Sequence, residues 1–347
     1  MPADEGRPPA SKEGRVSMES LTKNRQSTET LRTLIARAYG ADEVPDGDGF
    51  ADEITEGWFN VAYRIRLRSG RVVVLKVAPP ADVAVLTREV GMMRNELEAM
   101  RLVSTLTDVP VPRIDQVDLT HEVVDADLFF MEHVDADNFG FAAADGQLAP
   151  EVVAAGNREL GALNREINAV TGTHFGPLEG PGFATWREAF LDIIETTLRD
   201  GEAVEVDLGW SSDEIRATVA AHAHVLDEVT EPRLIEVDLW TKNSMIRDGR
   251  IVAILDHERA IYGDPLMEAG LTGLDLEGFD DPTDFMIGFG LSELTEAQRT
   301  RRRLYSLYLA VIMTVETKFR GHTSTEVYDF GRRSLDQVMA ALGRVRV

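Results

Sequence analysis

Residues 238–256 read DLWTKNSMIRDGRIVAILD. Asp248-Gly249 is a strong hairpin signal, because a two-residue turn of this kind needs positive φ at its central positions. With that pair as the turn, Arg247 faces Arg250, Ile246 faces Ile251, Met245 faces Val252 and Asn243 faces Ile254. Asp256 then falls two residues past the partner of Asn243, about 7 Å along the strand at ~3.3 Å per residue. Two oxygen-bearing side chains at that separation can grip one hard cation or two neighbouring ones. Asp238 lies five residues before Asn243, in the loop that enters the hairpin. It is within reach of whatever the cation holds, yet is not obliged to bind the cation itself. Mg²⁺ takes few protein ligands and completes its shell with substrate phosphates. The division therefore suits phosphoryl transfer, with one carboxylate deprotonating an acceptor hydroxyl while Asn and Asp hold the metal. Taken singly, D-x4-N is common, and Asn or Asp beside a hairpin is usually a turn or cap residue.

Outward from this hairpin, the chain before it is β-rich and the remainder is helical. In NVAYRIRLR, Val61, Tyr63, Ile65 and Leu67 alternate with Arg64, Arg66 and Arg68, which predicts a half-buried strand. Ser69-Gly70 turns it into RVVVLKVA, a nearly apolar return strand. Thr28–Tyr39 carries Leu31, Leu34, Ile35 and Ala38 on one helical stripe, and an acidic loop, ADEVPDGDGFADE, follows. A long helix is expected over 86–106, with Leu86, Val90, Met93, Leu97 and Met100 on its core face; Val109-Pro110-Val111-Pro112 ends it. LFFMEHV (128–134) reads as a further strand. From about residue 150 the pattern is helical apart from the hairpin. Residues 1 to about 25 have the composition of a disordered tail. Thr185-Trp186-Arg187-Glu188 scans as a capped helix start, with Trp186 as a core anchor.

Lys76 sits on the apolar strand 72–78 and needs a partner or an edge for its charge. Glu96 has Met92, Met93, Ala99 and Met100 at helical neighbour positions and so lies on an apolar face. Glu98 faces Arg94 and Arg101, and Glu89 is the rival candidate.

These pieces together resemble the aminoglycoside phosphotransferase family of small-molecule kinases. The resemblance rests on D-L-W-T-K-N, Asp256 thirteen residues after Asn243, and Gly263-Asp264-Pro265. HFGPLEGPGFATWREAFLDII (174–194) and NELEAMRLV are similar to segments of hygromycin-type members, and the likeness spans roughly residues 28–345. It implies an α+β, bilobal, protein-kinase-like fold. Residues 26–134 would form a small β-rich lobe and 135–347 a larger, mostly helical one. It further implies Asp238 as catalytic base and Asn243 and Asp256 as Mg²⁺ ligands, with ATP or GTP as phosphoryl donor. Lys76 paired with Glu96 would position the donor's phosphates. Glu56-Gly57-Trp58-Phe59-Asn60 would turn over those phosphates, with Gly57 allowing the approach, and Glu132 to Val134 would be the hinge that bonds adenine. Asp264 and Glu268 would follow the metal strand, either facing an amine-bearing acceptor or capping the local turn.

One departure stands out. The family reads His-Gly-Asp where this chain has Glu236-Val237-Asp238. Glu cannot donate the hydrogen bonds of the usual His, and Val lacks the backbone freedom of Gly. Either the loop is rebuilt around Glu236, or the chain is a catalytically impaired nucleotide-binding protein. A Mg²⁺-dependent phosphohydrolase is a further alternative. His257, next to Asp256, reads as a packing residue or one that backs the site without touching substrate.

Composition bounds the rest. The 347 residues include 60 Asp and Glu against 36 Lys and Arg, a formal net charge of −24, so the field repels nucleic acid and anionic membranes and favours a cationic acceptor, and the resemblance implies a cationic or sugar-like one. The absence of Cys excludes disulfides, thiolate metal sites and Cys nucleophiles. No G-x4-G-K-[ST] or G-x-S-x-G occurs. The expectation is a cytoplasmic protein, monomeric or dimeric, acting in antibiotic resistance, antibiotic biosynthesis or metabolism.

Overall fold

The computed structural model describes residues 20–55 and 57–343. The apolar alternation of the first half builds one antiparallel sheet. Its strands are β1 (Ala51–Ile54), β2 (Val61–Arg66), β3 (Val72–Val77), β4 (Ile114–Asp118) and β5 (Leu128–Glu132), in the order β1-β2-β3-β5-β4. Gly70 makes the β2–β3 turn at a φ of 87°. Val61, Tyr63, Ile65, Val73 and Leu75 point to one face and pack under Leu31, Leu34 and Ile35 of α1 (Thr28–Tyr39). The other face carries Phe129, packed with Met93 and Met100 of α2 (Met92–Leu106). Lys76 stands opposite Phe129 in the β3–β5 register, on this second face.

Two local expectations fail for identifiable reasons. The helix expected to begin at residue 86 begins at Met92, because Gly91 takes a φ of 77° that a helix cannot continue through. The chain before it forms a single 3-10 turn, in which the Glu89 carboxylate accepts a hydrogen bond from Leu86 N–H at 3.0 Å. Val90, placed on the core stripe by helical spacing, is 75% exposed as a result. The end of the acidic loop is strand β1, where Ala51 pairs with Ile65; its sequence, ADEI, has too little alternation to announce itself.

The helical half contains β6 (Asp137–Asn138), α3 (Phe139–Ala144), α4 (Pro150–Ile167), α5 (Trp186–Ala203), α6 (Ser212–His222), β7 (Arg233–Ile235), β8 (Ser244–Arg247), β9 (Arg250–Ile254), β10 (Ile261–Gly263), α7 (Thr283–Phe289), α8 (Glu296–Phe319) and α9 (Glu326–Ala341). Trp186 is fully buried and donates through Nε1 to the Tyr305 hydroxyl at 2.8 Å. Its helix starts with the expected capping box of Thr185 and Glu188. No described helix is long and apolar enough to cross a membrane.

The β-rich and helical parts are joined by a buried ion pair. Glu89, just ahead of α2, meets Arg320, just past α8, through both guanidinium nitrogens, and both side chains are 2% exposed. The Arg320 guanidinium also lies 4.9 Å from the centroid of the Phe59 ring. Residues 20–25, expected within a disordered tail, belong to this junction. Leu21 N–H donates to the Arg320 carbonyl at 3.1 Å, and the buried Thr22 hydroxyl bonds the Phe59 carbonyl at 2.9 Å. Residues 1–19, the rest of that expected tail, lie outside the described residues. Breaking a buried pair by removing one partner leaves an uncompensated charge, so Arg320→Met is expected to lower stability by about 3–5 kcal/mol in chemical denaturation. A loss below 1 kcal/mol would mean that Glu89 finds another partner or a proton.

Candidate active site

The hairpin of β8 and β9 forms around Asp248-Gly249, with Arg247 opposite Arg250 and Ile246 opposite Ile251 as the sequence requires. Beyond Ile246 a bulge shifts the register by one residue. Met245 faces Ala253 rather than Val252, and Ser244 faces Ile254. The Asn243 carbonyl accepts from Leu255 N–H at 2.8 Å, so Asp256 follows one residue past the partner of Asn243 instead of two.

Asp256 takes a left-handed conformation, φ 58°, and its Oδ1 accepts from Lys76 Nζ at 2.8 Å. The same ammonium donates to Glu96 Oε1 at 2.7 Å and Oε2 at 2.9 Å. Glu96 is therefore the helix partner of Lys76, while Glu89 is committed to Arg320. Burial alone would lower the Lys76 pKa; Asp256 and Glu96 more than reverse this and hold the ammonium charged. Burial pushes the Glu96 carboxyl up against the pull of Lys76, whereas Lys76 pulls Asp256 down.

Asn243 is buried, and its Nδ2 donates to the Asp238 carbonyl at 2.9 Å, which orients the amide. Asn243 Oδ1 and Asp256 Oδ2 accept no hydrogen bond from the described residues. Two oxygen donors suit a hard cation such as Mg²⁺, which needs only one or two protein carboxylates or amides when substrate oxygens complete its shell. No group of three or more His, Asp or Glu side chains with metal-ligand spacing occurs among the described residues, so the site offers nothing resembling a closed protein cage.

Asp238 is half-buried, and burial raises its pKa to about 6 despite the nearby Arg259 guanidinium. The loop before it is rebuilt around Glu236. His257 Nδ1 donates to Glu236 Oε1 at 3.0 Å, and His257 Nε2 donates to the Ile254 carbonyl at 3.2 Å. Both ring nitrogens face acceptors, which an imidazolium satisfies and a neutral ring does not. Burial would lower the His257 pKa, but Glu236 raises it overall. Val237 adopts a φ of 65°, the conformation expected of a Gly and strained for a β-branched residue. Glu268 pins that backbone, accepting from Glu236 N–H at 3.0 Å and Val237 N–H at 3.1 Å, and from the side chains of Asn164 and Asn168, each at 2.9 Å. Glu268 is fully buried. Asp264 caps Leu266 and bonds Arg301 and Tyr305. Neither carboxylate faces an acceptor.

A cleft of about 1120 Å³ lies over this cluster. Lys76, Glu96, Asn243 and Asp256 line it, as do Gly57 to Asn60 from the β1–β2 turn and Glu132 to Val134 at the end of β5; Asp238 does not itself line the cleft. Glu56, named with that turn, lies outside the described residues. Glu132 Oε1 accepts from Arg113 N–H at 3.0 Å, and Glu132 N–H donates to the Arg113 carbonyl at 2.9 Å. Glu258 and Arg259 were not singled out by sequence. Glu258 accepts from Asn60 Nδ2 at 2.7 Å, and burial raises its pKa to about 8. Arg259 pairs with Glu316 beside Asp238. Their signal was their position two and three residues past Asp256, which spacing alone could not distinguish from a loop.

A model described as a phosphotransferase enzyme family matches residues 51–305. Solved structures share the fold at low identity. A thermostable mutant of the aminoglycoside phosphotransferase APH(4)-Ia, in ternary complex with AMP-PNP and hygromycin B, is 17% identical with a TM-score of 0.64, over 90% of this chain and 98% of that one. A Thermobifida fusca protein assigned as a fructosamine-3-kinase is 18% identical with a TM-score of 0.63, over 92% and 100%. The APH(2'')-IIa complex with streptomycin and ATP is 13% identical with a TM-score of 0.59, over 91% and 98%. The architecture they share is the α+β, protein-kinase-like one expected from the sequence.

The raised pKa of Asp238 sets a pH dependence of stability. Its carboxyl ionises near 3.8 ordinarily and at about 6 in the folded chain, so the native state holds the proton more tightly. This contribution is complete below 3.8 and is lost as pH climbs through 6. Asp238→Asn carries no ionisable group there. Its melting temperature should match wild type near pH 3, pull ahead between about pH 4 and 6, and keep a constant lead above about pH 7; a gap that does not change between pH 4 and 6 would mean that Asp238 titrates normally.

Proposed function

This chain belongs to the phosphotransferase enzyme family, and on that premise we propose that it moves the γ-phosphoryl group of ATP, with Mg²⁺, to a hydroxyl of a small cationic or sugar-like molecule. The observation that carries the reading is the ion cluster of Lys76, Glu96 and Asp256 in one cleft with Asn243, with Asp238 held beside it at a pKa of about 6.

Each side chain has a task suited to its surroundings. Lys76 is fixed by Glu96, and the donor it gives to Asp256 is the one a phosphate oxygen of ATP would take over. Asn243 Oδ1 and Asp256 Oδ2 would hold Mg²⁺, which supplies charge neutralisation along the phosphates. The backbone near Glu132 and Val134 bonds adenine, and the turn at Gly57 covers the phosphates. Asp238 accepts the acceptor's hydroxyl proton as the new O–P bond forms and the bond from the γ-phosphorus to ADP breaks. A base of pKa about 6 is ionised at neutral pH yet more basic than an ordinary Asp.

The acceptor is the finer part of the proposal. APH(4)-Ia binds hygromycin B and APH(2'')-IIa binds streptomycin in the similar structures. Here Asp137 and Asp145 line the cleft, carboxylates suited to an amino sugar, beside Trp240 and Phe141, whose ring centroids lie 4.8 Å and 5.7 Å from the Lys242 ammonium. The Glu236–His257 pair favours an active enzyme over an impaired one, because it replaces the hydrogen bonding that Glu236 alone could not supply.

Asp238→Asn is expected to cut acceptor-dependent ATP consumption at least about 10³-fold while ATP still raises the melting temperature. The wild-type kcat profile should fall on the acid side with a midpoint near 6. A screen of aminoglycosides and other amino sugars for acceptor-dependent ADP release supplies the substrate. Wild-type turnover in Asp238→Asn, or ADP release independent of every acceptor, would remove Asp238 from the role of base.

A further inference from the structure

Lys23 is a cation beside the cleft to which the functional reading gives no task. It comes from the short segment ahead of α1, and its neighbours are pinned on both sides. The Thr22 hydroxyl bonds the carbonyls of Trp58 at 3.0 Å and Phe59 at 2.9 Å. Asn24 Nδ2 donates to the Ala78 carbonyl at 3.0 Å, just past β3. Leu21 is tied to Arg320. Held between these anchors, Lys23 reaches the β1–β2 turn, where Nζ donates to the Asn60 carbonyl at 2.8 Å. A Cβ built on Gly57 would lie 3.9 Å from that Nζ. Gly57 and Asn60 both line the cleft. The ammonium feels the charge of Glu53 most, then those of Arg25, Asp256 and Lys76.

An ammonium has three donors, and the only hydrogen bond from the Lys23 side chain to a described residue is the one to Asn60. A partly buried cation held by a single neutral carbonyl at the rim of an anion site gains more from a phosphate oxygen than from that carbonyl alone.

Resting on the reading of the cleft as an ATP site, we infer that Lys23 is a second phosphate-contacting lysine, delivered to the donor's phosphates by the strap of residues 20–24. The competing role is a strut that only shapes the turn. A phosphate contact discriminates between nucleotides with and without phosphates; a strut does not.

The experiment compares wild type, Lys23→Met and Lys23→Gln for binding of Mg·ATP by calorimetry and of adenosine by competition, with melting temperatures alongside. Lys23→Gln keeps a donor for the Asn60 carbonyl without the charge and serves if Lys23→Met does not fold. Loss of the charge is expected to weaken ATP binding roughly tenfold, with adenosine binding changed less than twofold. Lys23→Arg should recover most of the ATP affinity. Unchanged ATP affinity in Lys23→Gln, or equal weakening of ATP and adenosine, overturns the inference and leaves the ATP site standing. Failure of the wild-type chain to bind either compound overturns the ATP reading and this inference with it.

Discussion

The ammonium of Lys76 is the constraint on which the site depends. It is buried on the inner face of a sheet, where an isolated charge would be too costly to keep. Two carboxylates hold it, and they come from different parts of the chain. Glu96 belongs to α2, and Asp256 follows the β9 hairpin strand. The pairing therefore fixes the sheet, the helix and the hairpin against one another at a single point. It is also adaptable. The bonds to Glu96 are internal to the β-rich part, whereas Asp256 is bound through one oxygen only. A phosphate that takes over that donor from Asp256 would free the carboxylate for a cation without leaving Lys76 unpaired.

Much of this was legible in the sequence, because the signals were local. A strand Lys on an apolar run demands an acid, and the Met and Ala neighbours of Glu96 put it on the buried face. Glu89 had equally apolar neighbours, yet Gly91 breaks the helix after it and sends it to Arg320. The hairpin turn was legible from Asp248-Gly249, but the bulge between Met245 and Ile246 was not. Nothing in those side chains distinguishes a regular ladder from one with an extra residue. The packed strap of residues 20–25 was misread for the opposite reason: its composition is that of a tail, and its order comes from partners such as Trp58, Phe59, Ala78 and Arg320, remote in sequence.

The loop of residues 236–238 shows how a sequence departure can be absorbed by a second change elsewhere. Where the family pattern has His, this chain has Glu; its partner is the imidazolium of His257, next to Asp256. The loop keeps a tie to the chain bearing Asp256, so Asp238 and Asp256 remain braced through a shared pair rather than through their own side chains.

Val237 poses the harder problem. A β-branched residue at φ 65° costs on the order of 1–3 kcal/mol. Glu268 accounts for its persistence. Its two oxygens collect the backbone N–H groups of residues 236 and 237 and the amides of Asn164 and Asn168, and it is fully buried among them. Relaxing Val237 to an ordinary φ would rotate its N–H away and leave a buried carboxyl short of a donor. Burial already raises the Glu268 pKa to about 7, so that carboxyl has little reserve with which to lose one. The strain is thus confined by a neighbour that cannot afford the relaxation, and Asp238, the next residue, inherits a fixed backbone without needing a glycine.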